Sequence, residues 1–197
     1  MKPLLSILIP SIPSRFESHL FPLWKELQRQ CNESMYGSLV EILILSDNKH
    51  RSIGSKRQAL LNLAQGEYIA FMDDDDKPTS NYIEKAICEA IILHWTNRAD
   101  VITFNQHVSI NGEQFSLTFK FGHEVNEEPN KDGFTRPPWH VCFWRRDVVQ
   151  HCTFPNSNYG EDWAWAEQAN KCAKTSYHID EFMMTYVYDE NISEATI

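Results

Sequence analysis

The chain has 197 residues, of which 42% are hydrophobic and 12% aromatic, and its formal net charge is −9. This length accommodates a sizeable core, and the apolar content excludes a disordered or low-complexity chain. The acidic balance argues against a nucleic-acid binder, because such proteins usually present a basic face, and the densest basic region here is confined to residues 49–57.

The five cysteines include no CxxC pair, which indicates reduced thiols and a cytoplasmic protein. The apolar run at residues 4–9 is short and is followed by Pro10 and Pro13. It therefore does not fit a secretory signal. The sequence contains no uninterrupted apolar run of membrane-spanning length, so no membrane span is expected.

Buried strands and helices alternate in the first half of the chain. Strands are predicted at residues 4–10, 40–46, 67–72 and 100–105. Helices are predicted at residues 15–30, at 56–64 after a Ser52 or Ser55 cap, and from Thr79 or Ser80 to about Trp95. This order predicts an α/β protein with a mainly parallel sheet flanked by helices. Ligands bind such sheets at the carboxyl ends of the strands, where residues 10–14, Asp47 and the aspartates that follow Met72 would meet.

The second half has a different pattern. Asn111-Gly112 lies between alternating residues and predicts a β-hairpin. The polar, proline-containing residues 122–138 are interpreted as a mobile loop. Another strand is predicted at residues 139–146, a helix at 160–173 and one or two strands at 176–188.

Four adjacent aspartates, Asp73 to Asp76, follow the third strand. Like charges repel, and aspartates bind Mg²⁺ or Mn²⁺ through oxygen, so this run indicates a bound divalent cation. In an extended segment Asp73 and Asp75 would share one side, and Asp74 and Asp76 the other. The alternative is a solvated turn that benefits from the dipole of the next helix.

The order of "SILIPSIPSR", "EILILSDN", "IGSKRQALLNLAQGEYIAFMDDDD" and "GEDW" resembles the family 2 glycosyltransferases of GT-A fold, well over residues 4–80 and loosely over 139–190. The resemblance implies one GT-A domain over residues 1–197, with a nucleotide-binding half at about 1–105 and a mixed or antiparallel acceptor-binding half at about 106–197. It also implies metal-dependent, inverting transfer of a sugar from a nucleotide sugar, with UDP as the expected nucleotide. The acceptor hydroxyl would belong to a glycan, a lipid or a modified DNA base.

The same resemblance assigns roles to individual residues. Asp75 and Asp73 would hold Mn²⁺ or Mg²⁺, and Asp73 would also lie near the donor ribose. Asp162 would be the catalytic base, with Glu161 as second choice. The donor and nucleotide would be bound by Pro10, Ser11, Asp47, Lys56, Arg57, Asp73 and Asp74. One departure is Gln58, which replaces the asparagine usual in the family.

Other interpretations remain open at this point. A nucleotidyltransferase of related fold would usually carry a glycine-rich first loop, which "PSIPSRF" lacks. A nucleotide-sugar-binding module without catalysis is a second alternative, and Glu161 and Asp162 could simply cap a helix. The spacing of the histidines and cysteines after residue 139 does not match ordinary zinc sites. Arg145 and Arg146 are expected in solvent, with a contact to the diphosphate as the alternative.

Overall fold

The computed structural model describes residues 2–92 and 98–188 of the chain. Nine strands form one sheet, whose main path runs β2-β1-β3-β8-β5-β6-β7, while β9 pairs with both β5 and β4. The strands are β1 Leu5–Ser11, β2 Val40–Ser46, β3 Tyr68–Phe71, β4 Lys77–Pro78, β5 Val101–Ile110, β6 Glu113–Phe119, β7 Phe134–Arg136, β8 Phe143–Arg145 and β9 Ser176–Tyr188. The α-helices are α1 Phe21–Glu33, α2 Ile53–Leu63, α3 Tyr82–Glu84, α4 Arg146–Val149 and α5 Glu161–Cys172.

The predicted α/β fold with a parallel nucleus is confirmed. Strand β1 pairs in parallel with β2 along its whole length and with β3 on its other side. The short strand β8 lies antiparallel between β3 and β5, so β5 runs in the same direction as β3. The first three strands therefore end at one edge of the sheet, as the sequence predicts.

The helices agree with the predictions in position and differ at their ends. A 3-10 turn and a π-helical turn, Pro13–Arg15 and Phe16–Leu20, precede α1. The Ser52 hydroxyl accepts a hydrogen bond from the Ser55 amide at 3.1 Å and caps α2. The third predicted helix begins after Asn81 rather than at Thr79 or Ser80, because the Thr79 hydroxyl donates to the Met183 carbonyl. It continues as the π-helical segment Lys85–Ile92, and its predicted end at Trp95 lies outside the described residues.

In the second half the hairpin prediction is confirmed. Strands β5 and β6 are antiparallel, and Asn111 and Gly112 have φ angles of 49° and 87° between them. Two consecutive positive φ angles are typical of the tight turns that favour Asn-Gly. The segment predicted as a loop at residues 122–138 contains β7, which pairs in parallel with β6. The strand predicted at 139–146 is shorter, limited to β8, and the final segment is one long strand, β9.

An aromatic core joins α5 to the sheet. The rings of Phe154 and Trp165 are stacked with centroids 5.0 Å apart, and Phe71 packs edge-on against Trp165 at 5.7 Å. Gly54 brings α2 against the same region, since a Cβ there would come within 1.9 Å of the Pro155 carbonyl oxygen. These contacts hold the start of α5 beside the end of β3. Among the described residues, no helix combines the length and apolar character needed to cross a bilayer.

Candidate active site

A cleft of about 750 Å³ opens where the first strands end. Every predicted site residue except Asp47 lines this cleft; they are Pro10, Ser11, Lys56, Arg57, Asp73, Asp74, Asp75, Glu161 and Asp162. The structure therefore brings these nine residues together around one space. Asp47 lies behind the wall of the cleft, where its Oδ1 is 2.9 Å from Lys56 Nζ.

Lys56 joins the ends of β1 and β2. Its side chain is buried at 4% exposure, and its Nζ donates to the Ser11 carbonyl oxygen at 2.8 Å as well as pairing with Asp47. Burial opposes the charge of Asp47, but Lys56 outweighs it and holds the pKa of that carboxyl below its usual value. The ion pair thus fixes the β1 turn against the β2 turn at one end of the cleft.

The four aspartates form a tight turn rather than an extended segment. The Asp76 amide donates to the Asp73 carbonyl at 3.1 Å, and the Asp73 amide donates to Asp76 Oδ2 at 2.9 Å. The predicted separation of Asp74 from Asp75 onto opposite sides is therefore wrong. Arg15 contacts both of them, with its Nη2 2.8 Å from Asp74 Oδ1 and 2.6 Å from Asp75 Oδ2.

Arg57 is the buried centre of the site. Only 2% of it is exposed, and its two terminal nitrogens contact Glu161 Oε1 at 2.5 Å and Asp73 Oδ1 at 2.6 Å. Burial favours the neutral guanidine, but the two carboxylates outweigh it and raise the pKa of Arg57. A single fixed cation therefore holds the aspartate turn against the first residue of α5.

Asp162 lies beside this centre and remains accessible from the cleft. Its Oδ2 accepts from the Trp139 indole at 3.1 Å, its Oδ1 accepts from the Trp163 amide at 2.8 Å, and 28% of the side chain is exposed. Burial would raise its pKa, but His140, Arg57 and these donors together hold the pKa of Asp162 below its ordinary value. The carboxylate is thus ionised at neutral pH and can accept a proton.

Asp76 is a buried carboxyl group whose surroundings disfavour its ionised form. Burial first, and then the charges of Asp73 and Asp75, raise its pKa well above the ordinary value. An acid with a raised folded pKa loses stability as the pH rises through that value. In metal-free buffer, Asp76→Asn is therefore expected to stabilise the fold at pH 7 by about 1–3 kcal/mol, since the amide oxygen can still accept from the Asp73 amide.

Urea unfolding between pH 4 and pH 8 measures this effect. The advantage of Asp76→Asn should shrink at acidic pH, where the wild-type carboxyl is itself protonated. The exposed Asp132 supplies the control, because Asp132→Asn makes the same chemical change at the surface. A variant at Asp76 that is less stable than the wild type at pH 7 would show that this carboxylate is ionised and compensated.

The predicted metal ligands face the cleft, and both are paired with arginines. Asp73 contacts Arg57 and Asp75 contacts Arg15. Within residues 2–92 and 98–188, no group of three or more His, Cys, Asp or Glu side chains could hold an ion. Asp75 is still 35% exposed, and Mg²⁺ is commonly held by one or two carboxylates together with substrate phosphates and water. The residues present therefore fit a cation that a phosphorylated ligand helps to bind.

Several lining residues were not predicted as site residues from the sequence. Arg15 follows the first strand turn, where the pattern indicated only a helix start. Trp139 and Tyr186 reach the cleft from the second half of the chain. Tyr186 lies on β9, which joins the sheet beside β5 through a long-range pairing that local patterns do not contain. Tyr159 also lines the cleft and is 83% exposed.

Other candidates lie elsewhere. Arg145 pairs with Asp100 at 2.9 Å, and Arg146 Nε donates to the Gly66 carbonyl, so both are held in structural contacts rather than in solvent. Neither residue lines the cleft. His178 hydrogen-bonds with the Thr103 hydroxyl at 2.9 Å and does not line the cleft either.

Comparison with known proteins supports the fold and part of the sequence pattern. The model of the family described as "Glycosyl transferase family 2" matches residues 23–91. That segment contains α2, Arg57 and the aspartate turn. No curated protein matches this sequence.

Solved structures match almost the whole chain. The structure of S. aureus TarS residues 1–349 in complex with UDP-GlcNAc superimposes with a TM-score of 0.62 at 17% identity, over 96% of this chain and 59% of that one. The complex of the same fragment with UDP gives a TM-score of 0.59 at 15% identity, over 95% of this chain and 60% of that one. The present chain thus spans about three fifths of the fragment it matches, and this likeness establishes the GT-A fold.

Proposed function

Because the chain contains a glycosyl transferase family 2 segment and has the GT-A fold of those enzymes, we propose that it is a glycosyltransferase that uses a nucleotide sugar, with UDP as the nucleotide and a divalent cation as cofactor. The observation that carries the proposal is the convergence of Lys56, Arg57, the aspartate turn and Asp162 on one cleft. The TarS structures bound to UDP-GlcNAc and UDP support the choice of nucleotide.

The donor is proposed to lie along the carboxyl edge of the sheet. The nucleoside would rest against Pro10, Ser11 and Lys56, which Asp47 holds in place, with the ribose near Asp73. The diphosphate would lie toward Asp75 and Arg15, where one exposed carboxylate and one cation face the cleft. Asp75 would hold the divalent cation together with phosphate oxygens of the donor. A cation bound there supplies charge that favours departure of the diphosphate.

We propose Asp162 as the base in this reaction. The acceptor hydroxyl oxygen forms a bond to the anomeric carbon while the bond from that carbon to the phosphate oxygen breaks. The electron pair leaves with UDP, and the hydroxyl proton passes to Asp162. Direct displacement of this kind inverts the anomeric carbon. Glu161 is a weaker candidate, because it is 4% exposed and its Oε1 is held by Arg57.

The acceptor is proposed to approach from the side formed by residues 106–197. Trp139, Asp162 and Tyr186 line the cleft from that half, whereas the aspartate turn and Lys56 line it from the other. The division into a nucleotide-binding half at residues 1–105 and an acceptor-binding half within one domain rests on this arrangement. Because strands from both halves belong to one continuous sheet, we propose that the two halves form a single domain.

A panel of nucleotide sugars tests the proposal by thermal denaturation with Mn²⁺ and with EDTA. A ligand at one hundred times its Kd stabilises the native state by about 2.7 kcal/mol, so the correct donor should raise the Tm clearly. We expect a UDP-sugar to do so in a Mn²⁺-dependent manner. The Asp75→Asn variant should lose the Mn²⁺-dependent part, while the surface control Asp132→Asn should keep it.

Each outcome of this panel bears on a separate part of the proposal. If none of the nucleotide sugars stabilises the protein, the donor assignment is wrong. An equal rise in Tm in EDTA and in Mn²⁺ would contradict the proposed metal dependence but not the donor assignment. Stabilisation without release of UDP in the presence of any acceptor would favour a binding module over an enzyme.

A further inference from the structure

A second cavity, of about 410 Å³, adjoins the cleft on the side of Asp162. The two spaces share Asp73, Trp139, Asp162, Tyr186 and Tyr188 in their walls. A molecule in the second cavity would therefore present one end to the carboxylate that we propose as the base. The volume is sufficient for a group of the size of one sugar ring.

The wall of this cavity contains a cation, Arg136, which does not line the first cleft. Arg136 on β7 lies over the Phe134 ring, with its guanidinium carbon 5.0 Å from the ring centroid. Its Nε is buried and has no hydrogen-bond partner. Within the described part of the chain, no Asp or Glu oxygen lies within ion-pair distance of Arg136, although Glu128 is near enough to favour its charge. Burial lowers the pKa of this guanidinium, as expected for a cation that lacks close compensation.

Three carboxylates, those of Asp73, Asp76 and Asp162, also line the cavity. The carboxylates of Asp73, Asp75, Asp76 and Asp162 act on Tyr186, whose pKa burial and these charges raise to about 12. Asp162 and Tyr186 line both spaces, whereas Arg136 lines only the second one. The second cavity therefore extends from the proposed base to a cation that the first cleft does not reach.

The remaining walls of the cavity are mainly apolar. Leu117, Phe119 and Phe134 are apolar and buried. Gln106 and His140 also line the space and are buried, and neither nitrogen of the His140 ring has a hydrogen-bond partner. A ligand with hydroxyl groups can satisfy these polar atoms, whereas a purely apolar ligand would leave them and Arg136 unpaired.

We propose that the second cavity binds the acceptor and that the acceptor carries an anionic group, a phosphate or a carboxylate, which pairs with Arg136 while a hydroxyl lies at Asp162. This inference rests on the proposed function and names the chemical class of its second substrate. The planar guanidinium matches both anions, because each can accept two parallel hydrogen bonds from it.

Matched sugars test the proposal. Glucose, glucuronate and glucose 6-phosphate share a ring and differ in the group at carbon 6, which is neutral, a carboxylate or a phosphate. Each is titrated into the protein in Mn²⁺ and saturating UDP, so that the diphosphate region is filled, and binding is followed by thermal stabilisation. We expect at least one anionic sugar to bind at least about tenfold more tightly than glucose, as charge-assisted hydrogen bonds would require.

Three variants show whether Arg136 causes the preference. Arg136→Gln should lose it, and Arg136→Lys should keep only part of it, because an ammonium lacks the planar fork. Lys120→Gln is the matched control: its amide donates to the Arg136 carbonyl, but its exposed side chain does not line the cavity. Stabilisation by UDP alone shows that each variant is folded and keeps its donor site.

The outcomes separate this inference from the proposed function. A preference for an anionic sugar that disappears in Arg136→Gln and persists in Lys120→Gln supports it, and the stronger binder distinguishes a phosphate from a carboxylate. Equal binding of all three sugars to the wild type, or an undiminished preference in Arg136→Gln, overturns it. If UDP stabilises none of the proteins, the donor assignment fails instead, and the same titrations repeated without UDP then test the preference of the cavity.

Discussion

Asp162→Asn is expected to lower the rate of sugar transfer by about 10²–10⁴-fold while leaving donor binding unchanged, which is the range for loss of a general base. The asparagine oxygen can still accept from the Trp139 indole or the Trp163 amide, so the side chain should keep its position. It cannot take the proton of the acceptor. Single-turnover transfer from the donor found by the nucleotide-sugar panel measures the effect, and the UDP-induced rise in Tm measures donor binding.

The control for this substitution lies on the same helix. Glu167 is exposed on α5, and Glu167→Gln removes one carboxylate without touching the cleft. Its transfer rate should equal that of the wild type. Normal transfer by Asp162→Asn, together with loss of transfer by Glu161→Gln, would reassign the base to Glu161. Loss of UDP binding in Asp162→Asn would instead give Asp162 a role in holding the donor.

Strand ends predicted part of the site, because parallel strands end at one edge of a sheet, whereas Lys56, Arg57, Glu161 and Asp162 were assigned by the resemblance to a family. The apolar runs before Pro10, Asp47 and Asp73 located three strand ends, and the alternation with helices placed them side by side. The prediction that the second strand is buried is wrong, because β2 lies at the edge of the sheet and its residues are half-buried or exposed. The confirmed pairing of β1 with β2 and β3 brings these ends together. Local periodicity was sufficient here, because each strand is short, apolar and closed by a polar residue or a proline.

The geometry of the aspartates could not be read from the same pattern. Alternation across a strand applies only while the backbone stays extended, and it ends at Asp73. Two hydrogen bonds between Asp73 and Asp76 then close a turn that directs Asp74 and Asp75 to the same arginine. The arginine that contacts both side chains is distant in sequence. The second cavity likewise combines residues of the aspartate turn with residues from the second half of the chain.

Arg57→Met is expected to destabilise the fold by about 3–5 kcal/mol, the usual result of removing one partner from a buried ion pair. Arg57 is 2% exposed, and without it Glu161 and Asp73 would face each other across a site shielded from water. Methionine fills a volume similar to that of the apolar part of the arginine side chain. The loss of stability would therefore reflect mainly the removal of the positive charge. Urea denaturation at pH 7 measures it.

The pH dependence of the Arg57 variant has a definite sign. Without the guanidinium, burial should raise the folded-state pKa of Glu161 and Asp73 above their unfolded values. The deficit should therefore be smallest at acidic pH, where both carboxyls are protonated, and should grow as the pH rises. Adding Glu161→Gln and Asp73→Asn to Arg57→Met should recover much of the lost stability at pH 7, since no uncompensated charge then remains in the pair.

Arg29 provides the matched control for Arg57. It also contacts two glutamates, Glu26 and Glu33, but on the exposed face of α1. Ion pairs in solvent contribute little to stability, so Arg29→Met should leave the urea midpoint almost unchanged. An equally small effect of Arg57→Met would show that water or another cation compensates Glu161 and Asp73. In that case Arg57 would not join the aspartate turn to α5, and the position of Asp162 beside the donor would need another support.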